Sequence, residues 1–339
     1  MKIKSLDGLR GLAAICVFLG HIRQMSEVVI YVPYRFFEAG SSAVILFFVL
    51  SGYVLTYSHD KSNITYKQYC CRRIFRMYPA YYLSTLFSII LFFIIKPNKI
   101  DLYTPFFNEQ FPSMIISTKV IIERLLLIVQ DSNPINVVTW TLTHEVIISV
   151  IMLPILFKFK KIFNNYLIAL VTIILCWQIG HFHNIYTITK SFKFFVFFYM
   201  GYLAFYNHHK LKYIASLKLL PLYLFLFASV YFTYGHSLSI DILAGLGSVG
   251  LISCCLYNKY FAKLLESRIV QFYGKISYSF YLFHMPILYL VVYTLRSRLS
   301  LWEIKVLIFI ITTIISNFVY NNVELRFIKY GKKFFNPVR

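Results

Sequence analysis

Arg10, His21 and Glu145 sit where the surrounding sequence is apolar and should hold no ionisable group. Eleven steps of 100° come to three turns plus about 20°, so a helix puts Arg10 and His21 on one stripe, roughly 16 Å apart along its axis. Asp7 lies a turn below them. Such groups need a partner or a task when water is excluded. The plain reading has Arg10 reaching back to headgroups and His21 closing a helix end; the shared stripe favours a site. Glu145 follows Trp140-Thr-Leu-Thr-His in a run that stays apolar to Pro154. Its natural partner is His21 or Arg10, which requires the first and fourth helices to pack together. A carboxylate beside His21 would orient the ring and raise its basicity, as in other base–orienter pairs. A structural ion pair is the alternative.

A second set of groups is cationic. In Cys70-Cys-Arg-Arg-Ile-Phe-Arg-Met-Tyr-Pro79, the residues Arg72, Arg73 and Arg76 share one side of a helix. Guanidinium forks suit phosphate oxygens, and they equally suit anionic lipid headgroups; both readings stand on composition. His284 lies mid-segment in Ser277-Tyr-Ser-Phe-Tyr-Leu-Phe-His-Met-Pro286, where it either lines a substrate path or bonds helix to helix. Two patterns are set aside. Gly245-Leu-Gly-Ser-Val-Gly250 fits a dinucleotide fingerprint, but it lies inside an apolar run, where small residues let helices approach. His181, His183, His208 and His209 have no companion ligands, and the cysteines show no CxxC spacing, so no metal is expected.

The elements that must position these groups are membrane helices. Of the 339 residues 59% are hydrophobic and 14% charged, with mean hydropathy +0.66, far from soluble composition. A net charge of +21 would raise nucleic acid as a partner, but the basic residues flank apolar stretches, where membrane orientation accounts for them. Stretches of membrane-spanning length fall near 9–24, 40–57, 79–95, 138–157, 162–180, 193–207, 217–235, 238–258, 276–295 and 304–321. With the amino terminus inside, 22 of the 34 Lys and Arg lie on the cytoplasmic side and 11 outside, with Arg10 within the first helix. The expectation is an all-α integral membrane protein: one polytopic bundle of about ten spans filling residues 1–339, both termini cytoplasmic.

Together these segments resemble the membrane acyltransferase-3 family, multispan proteins that acylate sugars and other hydroxyl acceptors. The resemblance runs from residue 5 to about 334. It is carried by Ser5-Leu-Asp-Gly-Leu-Arg-Gly-Leu-Ala-Ala14 through Gly20-His21, by Phe47-Phe-Val-Leu-Ser-Gly-Tyr-Val-Leu55 with Ser51 and Tyr53, and by Arg73-Ile-Phe-Arg76 with Tyr78-Pro79. Trp140-Thr-Leu with Glu145, Ile276-Ser-Tyr-Ser with Tyr281-Leu and His284, and Glu324 with Phe327-Ile follow in order. Two departures stand out. Glu145 is followed by Val146 where relatives often have a second glutamate, and Arg326 replaces a proline.

The resemblance implies a transferase, with acyl coenzyme A, commonly acetyl, as a cytoplasmic donor and a hydroxyl acceptor such as an envelope glycan. It places the protein in the bacterial cytoplasmic (inner) membrane, with the lipid bilayer as surroundings. His21 would act as general base or as a transiently acylated nucleophile, with Glu145 beside it and Arg10 stabilising the thioester oxygen or the departing thiolate. Arg72, Arg73 and Arg76 would hold the donor's phosphates. Asp7, Ser51, Tyr53, Trp140, Ser277, Tyr278, His284 and Glu324 would line the substrate path. Many relatives carry an extra esterase-like domain of the SGNH type; without it, a second transfer step falls to this bundle or to a separate envelope protein. The rival class is a proton-coupled transporter or flippase of an envelope precursor, which would call for inverted repeats that the sequence does not display.

Overall fold

The computed structural model describes residues 3–25, 40–62, 64–100, 103–112, 116–127, 135–180, 186–232 and 237–335. Every regular element among them is helical. The principal helices are α1 (Lys4–Met25), α2 (Gly40–Asp60), α3 (Tyr66–Ile95), α4 (Pro105–Gln110), α5 (Thr118–Leu125), α6 (Trp140–Ile147), α7 (Tyr166–Ile179), α8 (Tyr186–Tyr206), α9 (Leu220–Phe227), α10 (Leu238–Tyr257), α11 (Arg268–Leu295), α12 (Leu301–Val319) and α13 (Leu325–Phe335). Among the described residues, seven helical segments are long and apolar enough to cross a membrane. The other three expected spans coincide with α7, α8 and the segment Leu217–Phe227. At 14 residues α7 reaches about 21 Å, short of the roughly 30 Å hydrocarbon core. His181 and His183 lie outside the described residues.

The helices group into two compact units. One comprises Met1–Val17, Ile30–Asn63 and Thr141–Gly274; the other comprises Phe18–Val29, Ile64–Trp140 and Lys275–Arg339. Within the first, α2 and α8 meet at backbone distance: a Cβ on Gly52 would fall 2.0 Å from the Phe198 carbonyl oxygen. The Gly245-x-Gly-x-x-Gly250 run does the same for α9, since a Cβ on Gly247 would lie 2.4 Å from the Phe227 nitrogen. It is a packing seam, as its place in an apolar run suggested. After α6 the chain makes a π turn over Ile148–Met152, and the Leu153 N–H bonds to the Ile148 carbonyl. The next residue, Pro154, has no N–H to give, so the ladder is already interrupted there.

The second unit is built on long helices. A capping box of Thr65 and Gln68 starts α3, and another of Ser300 and Glu303 starts α12. Thirty residues of α3 span about 45 Å, so one end leaves the hydrocarbon core. The buried stripe of α12 runs Ile304, Ile308, Thr312, Ser316 and Val319 in steps of four, four, four and three. A straight α-helix would continue it at Val323. Instead, a π turn over Tyr320–Glu324 inserts one extra residue, and Glu324 becomes the buried position, 5% exposed. The backbone thereby turns a carboxylate inward where the sequence period would have turned valine.

Candidate functional site

His21 is carried by the last turns of α1 and His284 by the middle of α11, both in the second unit. The Nδ1 of His21 lies 2.8 Å from the Nε2 of His284, and the two rings meet edge to edge, nearly parallel, with centroids 5.0 Å apart at 24°. The Phe106 ring of α4 lies nearly parallel to that of His21, at 6.0 Å and 12°. Thr104 caps that short helix and also reaches the Gln24 carbonyl at the end of α1. His284 is 1% exposed and is walled by Phe18 and Tyr281 at about 6 Å. His21 is only half-buried. One imidazole is therefore sealed in the bundle and the other partly open.

Proline chemistry fixes the sealed ring. Pro286 cannot donate to the Leu282 carbonyl one turn back, and the side chain of Asn136 supplies that hydrogen bond at 2.8 Å. The Tyr281 hydroxyl donates to the Val138 carbonyl at 2.9 Å. The segment around Asn136 is thus strapped across α11 beside His284. The Nδ1 of His284 faces the Phe280 carbonyl at 3.2 Å.

Glu324 forms a second polar focus in the same unit. Its carboxylate accepts a hydrogen bond from the Ser279 hydroxyl, and the Arg76 guanidinium is the nearby countercharge. Of the serines in the Ile276-Ser-Tyr-Ser motif, Ser279 rather than Ser277 makes this bond, while Tyr278 donates to the Met77 carbonyl at 2.7 Å. Arg72 is half-buried, Arg73 buried and Arg76 exposed. α13 packs on α3 through Phe327 against Phe75, bringing Arg326, Lys329, Lys332 and Lys333 to the same end of the unit.

The remaining sequence-predicted site residues are distributed as follows. Arg10 pairs with Asp7 at 3.1 Å in the first unit, which also holds Ser51, Tyr53 and Glu145. Trp140 is half-buried in the second. The orienting partner expected for His21 was Glu145; the ring actually hydrogen-bonded to it is His284. α11 presents His284 across from the end of α1; Glu145 is half-buried in the first unit. Sequence reasoning missed Phe106, Asn136 and Ser279. A mid-helix proline did announce an orphan carbonyl needing a donor, but not which residue would provide it.

A family model described as an acyltransferase domain matches residues 3–320. That match ends just before Glu324. The acyltransferase MdmB of Streptomyces mycarofaciens is 35% identical over 108 residues, 29% of this chain. The alignment covers only 26% of that relative's own length. No solved structure matches. A match over nearly the whole chain, which carries apolar helices of membrane-spanning length, places this multi-pass membrane protein in the acyltransferase-3 family.

Proposed function

We propose that the protein moves an acyl group, acetyl in the simplest case, from acyl coenzyme A on the cytoplasmic side to a hydroxyl of an envelope sugar or glycan. In this reading the bundle sits in the bacterial cytoplasmic membrane, with ten spans and both termini inside. The observation that carries it is the His21–His284 pair: a half-buried imidazole hydrogen-bonded to a second, buried imidazole in an apolar surrounding. The acceptor oxygen attacks the thioester carbon while His21 takes the hydroxyl proton. The tetrahedral adduct then collapses, the C–S bond breaks, and the departing thiolate recovers that proton from His21. Ester and free coenzyme A result. General-base help of this kind is worth roughly 10²–10⁴-fold. If His21 is instead acylated first, the same ring nitrogen is the nucleophile.

Arg10 lies about 16 Å along α1 from His21, too far to hold the same carbonyl oxygen. Its role in this reading is with the donor's polar arm, and Arg72, Arg73 and Arg76 take the phosphates. The test uses protein purified into lipid nanodiscs with radiolabelled acetyl coenzyme A and an envelope glycolipid extract. Label should pass to the extract, and His21→Ala should abolish transfer while the protein still accumulates in the membrane. Full activity of that variant overturns the assignment. Movement of glycolipid across proteoliposomes with no thioester loss supports a transporter instead.

A further inference from the structure

We infer that His284 is a positioning residue that locks His21 into one tautomer, with the proton on Nδ1 and the free lone pair on Nε2, so that Nε2 is the atom that takes the acceptor's proton. This rests on the reading of His21 as the base. The Phe280 carbonyl can only accept a hydrogen bond, so the Nδ1 of His284, 3.2 Å away, must carry a proton. A neutral ring with hydrogen on Nδ1 has its lone pair on Nε2. That Nε2 faces the Nδ1 of His21 at 2.8 Å, and two lone pairs cannot share the contact, so Nδ1 of His21 is the donor. Its Nε2 is then bare.

The opposite polarity needs a doubly protonated His284, donating from both nitrogens. That places a full charge on a ring 1% exposed, between Phe18 and Tyr281 and with no carboxylate among the described residues that it contacts. Desolvation makes that arrangement the costly one. The chain of bonds Phe280 carbonyl, His284, His21 thus does for this base what a carboxylate orienter does elsewhere. It also assigns a task to Asn136: by taking up the carbonyl that Pro286 leaves free, it holds α11 in register at His284.

The prediction separates two substitutions at one site. His284→Gln can place an amide oxygen near the former Nε2 and keep an acceptor for His21; His284→Leu cannot. With acetyl coenzyme A and an envelope glycolipid extract, His284→Leu should lose about 100-fold or more in kcat with KM for acetyl coenzyme A within about twofold. His284→Gln should recover to within roughly tenfold of the parent. Equal losses in the two variants, or a loss confined to KM, overturn the proposal. A second readout needs no turnover. ¹⁵N-histidine NMR of the full chain in nanodiscs, with the His21 signals assigned by their disappearance in His21→Ala, should show Nδ1 protonated and Nε2 of imine type. His284→Leu should turn this into a tautomer mixture. A His21 protonated on Nε2 in the parent protein refutes the lock, whereas an active His21→Ala with the expected NMR pattern refutes only the catalytic reading.

Discussion

Two of the polar pairs in the units, one from each, are opposites. In the first unit Lys193 of α8 meets Asp241 of α10 at 3.2 Å, with Asp241 1% exposed and the Lys193 ammonium 4.6 Å above the Trp177 ring. Both groups are charged, each satisfies the other, and the aromatic face covers the remainder. In the second unit His21 and His284 meet with one hydrogen between two nitrogens, and one ring stays half-open. A full ion pair in an apolar bundle is a fixed joint, because neither partner can change charge without stranding the other. An imidazole pair can gain or lose a proton at the cost of only one charge. Burial alone therefore does not mark a reactive site; capacity to change protonation beside an open edge does.

Substitution should split the pairs along that line. The largest effect is expected for His21→Ala: a loss of roughly 10²–10⁴-fold or more in transfer, with little change in detergent-melting temperature. Asp241→Leu should do the reverse. Breaking a buried pair strands Lys193 and costs about 3–5 kcal/mol of stability, while the fraction that folds should transfer label at the parental rate. Pairing it with Lys193→Met should restore much of the melting temperature, since replacing both charges removes the stranded ammonium. If Asp241→Leu instead abolished turnover in protein of normal stability, the first unit's pair would belong to the chemistry and the contrast would collapse.

A smaller effect should appear at the joint that supports the imidazoles. Asn136→Ala leaves the Leu282 carbonyl without its donor, a change worth about 1–3 kcal/mol. Because the strain falls within one turn of His284, kcat should fall several-fold alongside stability. A fall in melting temperature with kcat unchanged would show that the strap holds the helix without tuning the base.

What was legible beforehand follows from the physics of each signal. Membrane helices announce themselves by long apolar runs, and His21 stood out because imidazole in such a run is expensive. His284 was equally visible as a residue, but whether it faced substrate or another helix depends on the rotation of α11 about its axis. That angle is set by Pro286 and by tertiary partners such as Asn136 rather than by local sequence. Glu324 was harder still. The period of α12 points to Val323 as the inward residue, and only a π turn, which leaves no reliable mark in composition, exchanges the two. Glu145 shows the complementary difficulty: a carboxylate in an apolar run demands a partner, but sequence spacing across separate helices does not say whether that is His21 or Arg10.

The smallest effect in this series concerns the cationic end of the second unit, where a charged side chain is exposed and not enclosed by the bundle. Arg76 is exposed and lies near the Glu324 carboxylate. Solvent-screened charge contacts contribute about 0.2–1 kcal/mol, so Arg76→Gln should raise KM for acetyl coenzyme A about two- to fivefold and leave kcat nearly intact. Raising ionic strength should shrink the difference between variant and parent, because screening weakens a contact that only the parent makes. Acetyl-pantetheine supplies the same thioester without phosphates, and it should serve the two proteins equally. If Arg76→Gln impaired both donors alike, the guanidinium would be acting through Glu324 and the packing of Ser279, and the cationic end would join the buried pairs as part of the scaffold instead of the donor's landing site.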